Sequence, residues 1–168
     1  IQLPAGVIPV PTVLRAAGYY TFNRGKLDYN FTHDPKQLYD AHNSNMNFDR
    51  LRDVATLWRP ATKAGKPFFG QIQLRGGKHA CPARTDEDAV TVPPYYPDTP
   101  LVRATIAHHY DTIRKTDDEV KRILAALDRD GLTDTTVVFF FSDHGFGMHR
   151  HKQFLYEGGV KVPMVVAG

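Results

Sequence analysis

The chain has a single cysteine, Cys81, which excludes an internal disulfide and leaves the redox compartment open. Tryptophan is equally scarce, with Trp58 alone. No apolar run approaches the ~18 residues that a transmembrane helix needs. Long blocks of like charge are missing as well. The balance of 21 Lys+Arg against 18 Asp+Glu leaves only +3, which argues against the footprint of a nucleic-acid binder. A few cations converging on a small anionic substrate fit this balance better. No internal repeat is visible. What is present suffices for one sizeable core, since 42% of 168 residues are hydrophobic. A charged fraction of 23% is ordinary for a globular domain and excludes wholesale disorder. The chain starts at Ile1 without Met or a signal peptide and ends on the strand-like VPMVVAG. It is therefore expected to be cut from a longer protein.

The most informative stretch runs from Val137 to Gly168. Val137 to Phe141 is an uninterrupted apolar run that predicts a parallel strand buried on both faces. It stops at Ser142-Asp143-His144-Gly145, so a carboxylate and an imidazole emerge together at the strand's C-terminal end. In open α/β sheets ligands bind at that end. Glycines at 145 and 147 let backbone approach closely, and Asp143 with His144 could bind a cation. Lys152 and Tyr156-Glu157-Gly158-Gly159 follow, then an apolar strand from Val160 to Val166 interrupted by Pro163. That proline predicts an edge or bulged strand end. Taken singly, Asp143 is a strand-end cap, His144 a surface histidine and Lys152 a solvated cation. Together, after a buried strand, they read as a site.

Upstream, Ile1 to Pro11 is an extended entry loop and Pro11 to Ala17 a short helix stopped by Gly18. Tyr19 to Asn23 predicts a strand, with Lys26 and Asp28 just beyond it. Asn30 to Asn47 reads as a polar surface loop whose His33 and His42 are solvated. Phe48 to Lys63 has helical spacing that makes Trp58 a core residue. Phe68 to Leu74 is the next strand, followed by a loop carrying His79. Prolines at 93, 94, 97 and 100 mark an extended loop. Leu101 to Leu127 is a long amphipathic helix stopped by Gly131, with Asp117 on its apolar stripe as a buried structural carboxylate. His108 and His109 are adjacent on that helix and cannot share a face, which excludes them as ligands of one metal.

The order SDHG, K-x-x-x-Y-E-G-G and a V-P-containing strand resembles the sulfatase family of the alkaline-phosphatase superfamily. In that family the strand-end Asp and its neighbour bind a divalent cation, usually calcium. The resemblance therefore implies Asp143 and His144 as metal ligands, with Ca2+ or Mg2+ favoured over zinc by hard oxygen donors. It implies that Lys152 contacts the substrate sulfate. The segment L-R-A-A-G-Y-Y-T…G-K-x-D is similar to L-x-x-A-G-Y-x-T…G-K-W-H, which assigns sulfate binding and stabilisation of the nucleophile's charge to Lys26. Asp28 stands where the family often has His, so at most a leaving-group contact carries over. The P-F-F…H order resembles the segment whose histidine donates to the sulfate and helps expel the leaving group, which assigns that role to His79.

Cys81-Pro82-Ala83-Arg84 does not match C-x-P-x-R, the sulfatase motif whose Cys or Ser a separate formylglycine-generating enzyme converts to formylglycine. Cys81 is an ordinary loop thiol. The expected architecture is an incomplete three-layer α/β sandwich, alkaline-phosphatase-like, with a largely parallel or mixed central sheet. Residues 1–168 are expected to be part of a sulfatase catalytic domain. The N-terminal nucleophile and metal segment and a C-terminal subdomain are expected elsewhere, leaving the piece itself inactive. The implied reaction is hydrolysis of sulfate esters or sulfamates on a glycan or small organic sulfate. The implied location is periplasmic, secreted or lysosomal. A phosphodiesterase or phosphonate monoester hydrolase on the same scaffold would use the same cations. A non-catalytic anion-binding homologue would keep the cleft without the nucleophile.

Overall fold

The computed structural model describes residues 1–168, which form two compact units, Ile1–Arg75 and Gly76–Gly168. The first unit opens with helix α1, Val10–Ala16, with Pro11 in its first turn. Gly18 takes φ +92° to end it, and Tyr19 N–H donates to the Leu14 carbonyl. Strand β1, Tyr20–Arg24, follows and is buried along almost its whole length. A short helix α2, Pro35–Leu38, leads to β2, Ala41–Asn43. Helix α3, Arg59–Lys63, precedes β3, Phe68–Ile72. The three strands form a wholly parallel sheet in the order β2-β1-β3, with Phe22 opposite Ala41 and Gly70. The Phe22 ring lies where a Cβ on Gly70 would be, so glycine is required on the neighbouring strand.

The core of this unit gathers Phe22, Leu38, Tyr39, Phe48, Val54 and Trp58, and the indole stacks on Phe68 at 6.0 Å between ring centres. Trp58 is thus a core residue, as its spacing predicts. The single helix expected over 48–63 is instead two 3-10 turns, Phe48–Arg50 and Val54–Leu57, followed by α3. Asn47 and Asp53 accept backbone N–H groups from Asp49 and Ala55, and Pro60 demands a helix start. Three local start signals override one continuous periodicity.

In the second unit, the 30-residue helix α4, Pro100–Arg129, is the main element. Thr99 caps it by accepting from Val102 N–H, and Gly131 at φ +68° follows its end. Its buried face comprises Ile106, Ala107, Asp111, Thr112, Thr116, Glu119, Ala126 and Leu127. Tyr110, Ile113 and Leu124 on this helix are exposed. Asp117 is exposed too, and the buried carboxylates are Asp111 and Glu119. The phase of the helix follows its polar partners on the 76–90 segment rather than its aliphatic residues. A small apolar cluster of Val90, Ile106 and Ala107 packs with Val92, Val102, Phe146 and Met148.

Strand β4, Val138–Phe141, pairs with β5, Met164–Ala167, in an antiparallel ladder that sets Phe139 opposite Val166. This corrects the expectation of a buried parallel strand, since Phe139 and Phe141 are 59% and 61% exposed. The two strands form their own two-stranded sheet, and no other strand of the chain extends it. Val160 belongs to a helical turn, α5, Glu157–Val160, and the second strand begins only after Pro163. A proline just before the first strand residue removes no ladder hydrogen bond.

Candidate active site

The loops between β4 and β5 carry the strongest sequence signal, and glycine determines their shape. A Cβ on Gly145 would overlap the Gly158 carbonyl, and one on Gly159 would overlap the Phe154 and His151 carbonyls. Gly145 N–H also donates to the Gly159 carbonyl at 3.1 Å. The Asp-His-Gly and Tyr-Glu-Gly-Gly segments are therefore locked backbone to backbone. Turns from Met148 N–H to Phe146 O and from Phe154 N–H to His151 O close the intervening loop. Within it, Lys152 N–H donates to the Phe146 carbonyl at 3.0 Å. Asp143, His144 and Lys152 are thus held by one interlocked loop system at the C-terminal end of β4.

The Asp143 side chain is 84% exposed and His144 is half-buried. His144 Nδ1–H donates to the Gly145 carbonyl at 2.6 Å, which leaves the Nε2 lone pair facing Asp143 Oδ1 at 3.6 Å. A backbone acceptor on one ring nitrogen is the usual way of orienting the other toward a metal. Two donors each about 2.4 Å from a common cation would be separated by roughly this distance. The pair fits a cation, although no cluster of three or more His, Cys, Asp or Glu side chains forms around it.

His79 follows a 3-10 turn, Gly76–Lys78, and is only 7% exposed. Its Nε2 lies 3.4 Å from Oε2 of Glu119, itself 2% exposed on α4. The imidazole is therefore enclosed and oriented by a helix carboxylate. Glu119 went unrecognised in the sequence because it lies off the apolar stripe. Asp111, one of the other buried groups of α4, accepts from Arg84 N–H, Thr85 N–H, the Thr85 hydroxyl and Arg114. These donors, the Arg84 N–H foremost, pull its pKa down to about 2. Cys81 lies 4.0 Å from His108 Nδ1. His109 points elsewhere and stacks on Phe146 at 4.0 Å, so the two adjacent histidines do diverge. Burial, and then the nearby His151 and His108, lower the His109 pKa.

In the first unit, Lys26 stands just past the C-terminal end of β1. Gly25, at φ +134°, packs so tightly that an added Cβ would lie 2.6 Å from Gln73 Cβ. Gln73 in turn accepts from Lys26 N–H and donates to the Lys26 carbonyl. Asn23 adds a third hold through the carbonyls of Gly25 and Lys26. The Lys26 ammonium meets Asp28 at 3.2 Å with both side chains largely exposed. Asp28 thus serves as the lysine's neighbour, a contact that the family's more frequent His at that position could not make as a fixed anion.

These arrangements define a mixed α/β protein with Lys26 just past the end of β1 and with Asp143, His144 and Lys152 on the loops that follow β4. A model of the family described as Sulfatase matches residues 1–168. The chain is 31% identical to an ulvan-active sulfatase of Formosa agariphila, over 97% of this chain and 32% of that protein. It is 34% identical to N-sulphoglucosamine sulphohydrolase of Homo sapiens over 51% of this chain and 17% of the relative. With arylsulfatase K of Gallus gallus it shares 37% identity over 40% of this chain and 13% of the relative. The chain belongs to the sulfatase family, with its alkaline-phosphatase-like fold. It spans about a third of the length of the ulvan-active sulfatase and a smaller share of the other two.

Proposed function

We propose that the whole protein hydrolyses sulfate esters or sulfamates on a glycan or small organic sulfate. The observation that carries this reading is the glycine interlock, which gathers a cation-donor pair and Lys152 at one strand end. In this reading Lys152 and Lys26 hold the sulfate oxygens by charge-assisted hydrogen bonds. His79 donates toward the leaving oxygen, and Glu119 holds its ring in place from 3.4 Å. Asp28 pairs with the Lys26 ammonium at 3.2 Å.

Asp143 Oδ1 and His144 Nε2 would hold Ca2+, with Mg2+ the second candidate. The remaining ligands of a cation that takes six to eight oxygens would come from water and from other parts of the whole protein. The ion would supply Lewis-acid stabilisation of negative charge on the sulfate. The nucleophile is assigned to a formylglycine outside residues 1–168, made by a formylglycine-generating enzyme, because Cys81-Pro82-Ala83-Arg84 does not match C-x-P-x-R. A periplasmic, secreted or lysosomal location accompanies this assignment.

Calcium titration of the full-length protein tests the metal assignment. Asp143→Asn removes the negative charge of an oxygen ligand and is expected to weaken calcium binding by roughly tenfold or more. Sulfate release should fall in parallel. Unchanged calcium affinity in Asp143→Asn would remove the metal from this strand end.

A further inference from the structure

Two residues before Lys152, Arg150 occupies a setting that the sulfate reading does not use. Tyr95, from the proline-rich segment, and Tyr156, from the glycine-locked loop, flank its guanidinium. The central carbon lies 5.2 Å and 4.5 Å from their ring centres. With Glu157, Gly158 and Lys161 these residues line an open cleft of about 490 Å³. That volume falls within the roughly 300–1,000 Å³ of small-molecule sites. The walls are held in place. The Tyr95 hydroxyl lies 3.2 Å from His151 Nε2, the Tyr96 hydroxyl donates to the His149 carbonyl, and the Tyr96 ring stacks on His151 at 15°. Arg150 itself adopts φ +67°, a left-handed conformation that a non-glycine residue takes only under strain.

Charge narrows the ligand. Lys161 is paired with Glu157 at 2.9 Å, whereas the partners of Arg150 in the protein are the two rings. The lining therefore carries one uncompensated positive charge. A guanidinium whose contacts are aromatic rings keeps its N–H groups available for bidentate contact with two oxygens of an oxyanion, and the ring contacts restrict its side chain. Around it, tyrosine rings offer apolar contact, and the Glu157 carboxylate and the backbone at Gly158 offer hydrogen-bond acceptors for hydroxyl groups.

We propose that this cleft is a second anion subsite, binding a sugar unit that bears a carboxylate or sulfate. Its place beside the unit whose sulfate ester faces Lys152 rests on the sulfatase reading above. The subsite ties substrate choice to residues on the Tyr95 and Arg150 loops.

Calorimetric titration of the full-length protein with glucuronate, glucose 6-sulfate and glucose tests it. Either anionic sugar should bind at least roughly tenfold more tightly than glucose, and the stronger of the two identifies the oxyanion. Arg150→Lys keeps the charge but loses the stacked fork, and should weaken both by roughly tenfold or more. Arg150→Gly should weaken them as much without lowering the melting temperature through backbone strain, since glycine is at ease at positive φ. Lys152→Ala should leave glucuronate affinity within about twofold of wild type. Equal binding of glucose, or an Arg150→Lys effect under about twofold, would overturn the subsite. So would loss of glucuronate binding in Lys152→Ala as complete as in Arg150→Gly, which would mean one shared anion site and leave the sulfatase reading intact. Conversely, absence of sulfate release with this binding pattern preserved would sink the sulfatase reading and leave the subsite standing.

Discussion

Asp111 shows how one buried residue organises a surface segment. Its carboxylate collects the backbone of Arg84 and Thr85, the Thr85 hydroxyl and the Arg114 guanidinium, fixing the 84–85 turn onto α4. Its folded pKa of about 2 lies below the ordinary 3.8. The stabilisation is therefore fully present above the unfolded value and is lost as pH falls from about 4 toward 2. Asp111→Asn is expected to lower the melting temperature by several degrees at neutral pH and to flatten its fall across that acid window. Melting curves from pH 2 to pH 7 check this, and an unchanged acid limb would show that Asp111 does not hold the turn. His109 works with the opposite charge but in the same direction of pH. Its lowered pKa means that its contribution is complete above the ordinary imidazole value of 6.5 and declines on acidification. Glu119, facing His79, is better described as a positioning residue, because its carboxylate is enclosed and meets the imidazole rather than open space.

Elements were legible in the sequence where local chemistry decides them. The end of α4 was readable because Gly131 marks it, whereas Pro100 reads as loop and is in fact the helix's first residue; β1 was readable from its aromatic and β-branched run. The order of Asp143, His144 and Lys152 after an apolar run marked this loop system in the sequence, and the roles proposed for them come from the sulfatase resemblance. The packing reason for its glycines emerges only from the fold, where Gly145 and Gly158 meet across a turn. Gly145→Ala is expected to destabilise the loops by about 2 kcal/mol through overpacking against a backbone carbonyl. It should also weaken calcium binding as strongly as Asp143→Asn. A stable variant with unchanged calcium affinity would show that the interlock does not position the donors.

Long-range partners were what the sequence could not reveal. The face of α4 is turned toward polar groups of the 76–90 segment, so Asp111 and Glu119 are buried while Ile113 and Leu124 face solvent. The phenylalanine run of β4 has the composition of a doubly covered strand, yet within these residues it pairs only with β5. Arg150, with its strained φ and two tyrosine walls, left no periodic trace at all.

At the scale of the molecule, Lys26 and Asp28 lie in the first unit, and His79, Asp143, His144 and Lys152 lie in the second. The sulfatase match runs across both units. The sulfatase reading assigns each of these side chains to sulfate, metal or leaving group, and Lys152 is the one whose role depends least on neighbours. The most direct measurement is turnover of p-nitrophenyl sulfate and p-nitrophenyl phosphate by the full-length protein and its Lys152→Ala variant. The sulfate ester should be preferred, and Lys152→Ala should lower its kcat/KM by about 100-fold or more, the scale expected for removing a group that stabilises transition-state charge. Preference for the phosphate ester, or turnover of the sulfate that survives Lys152→Ala unchanged, would contradict the account.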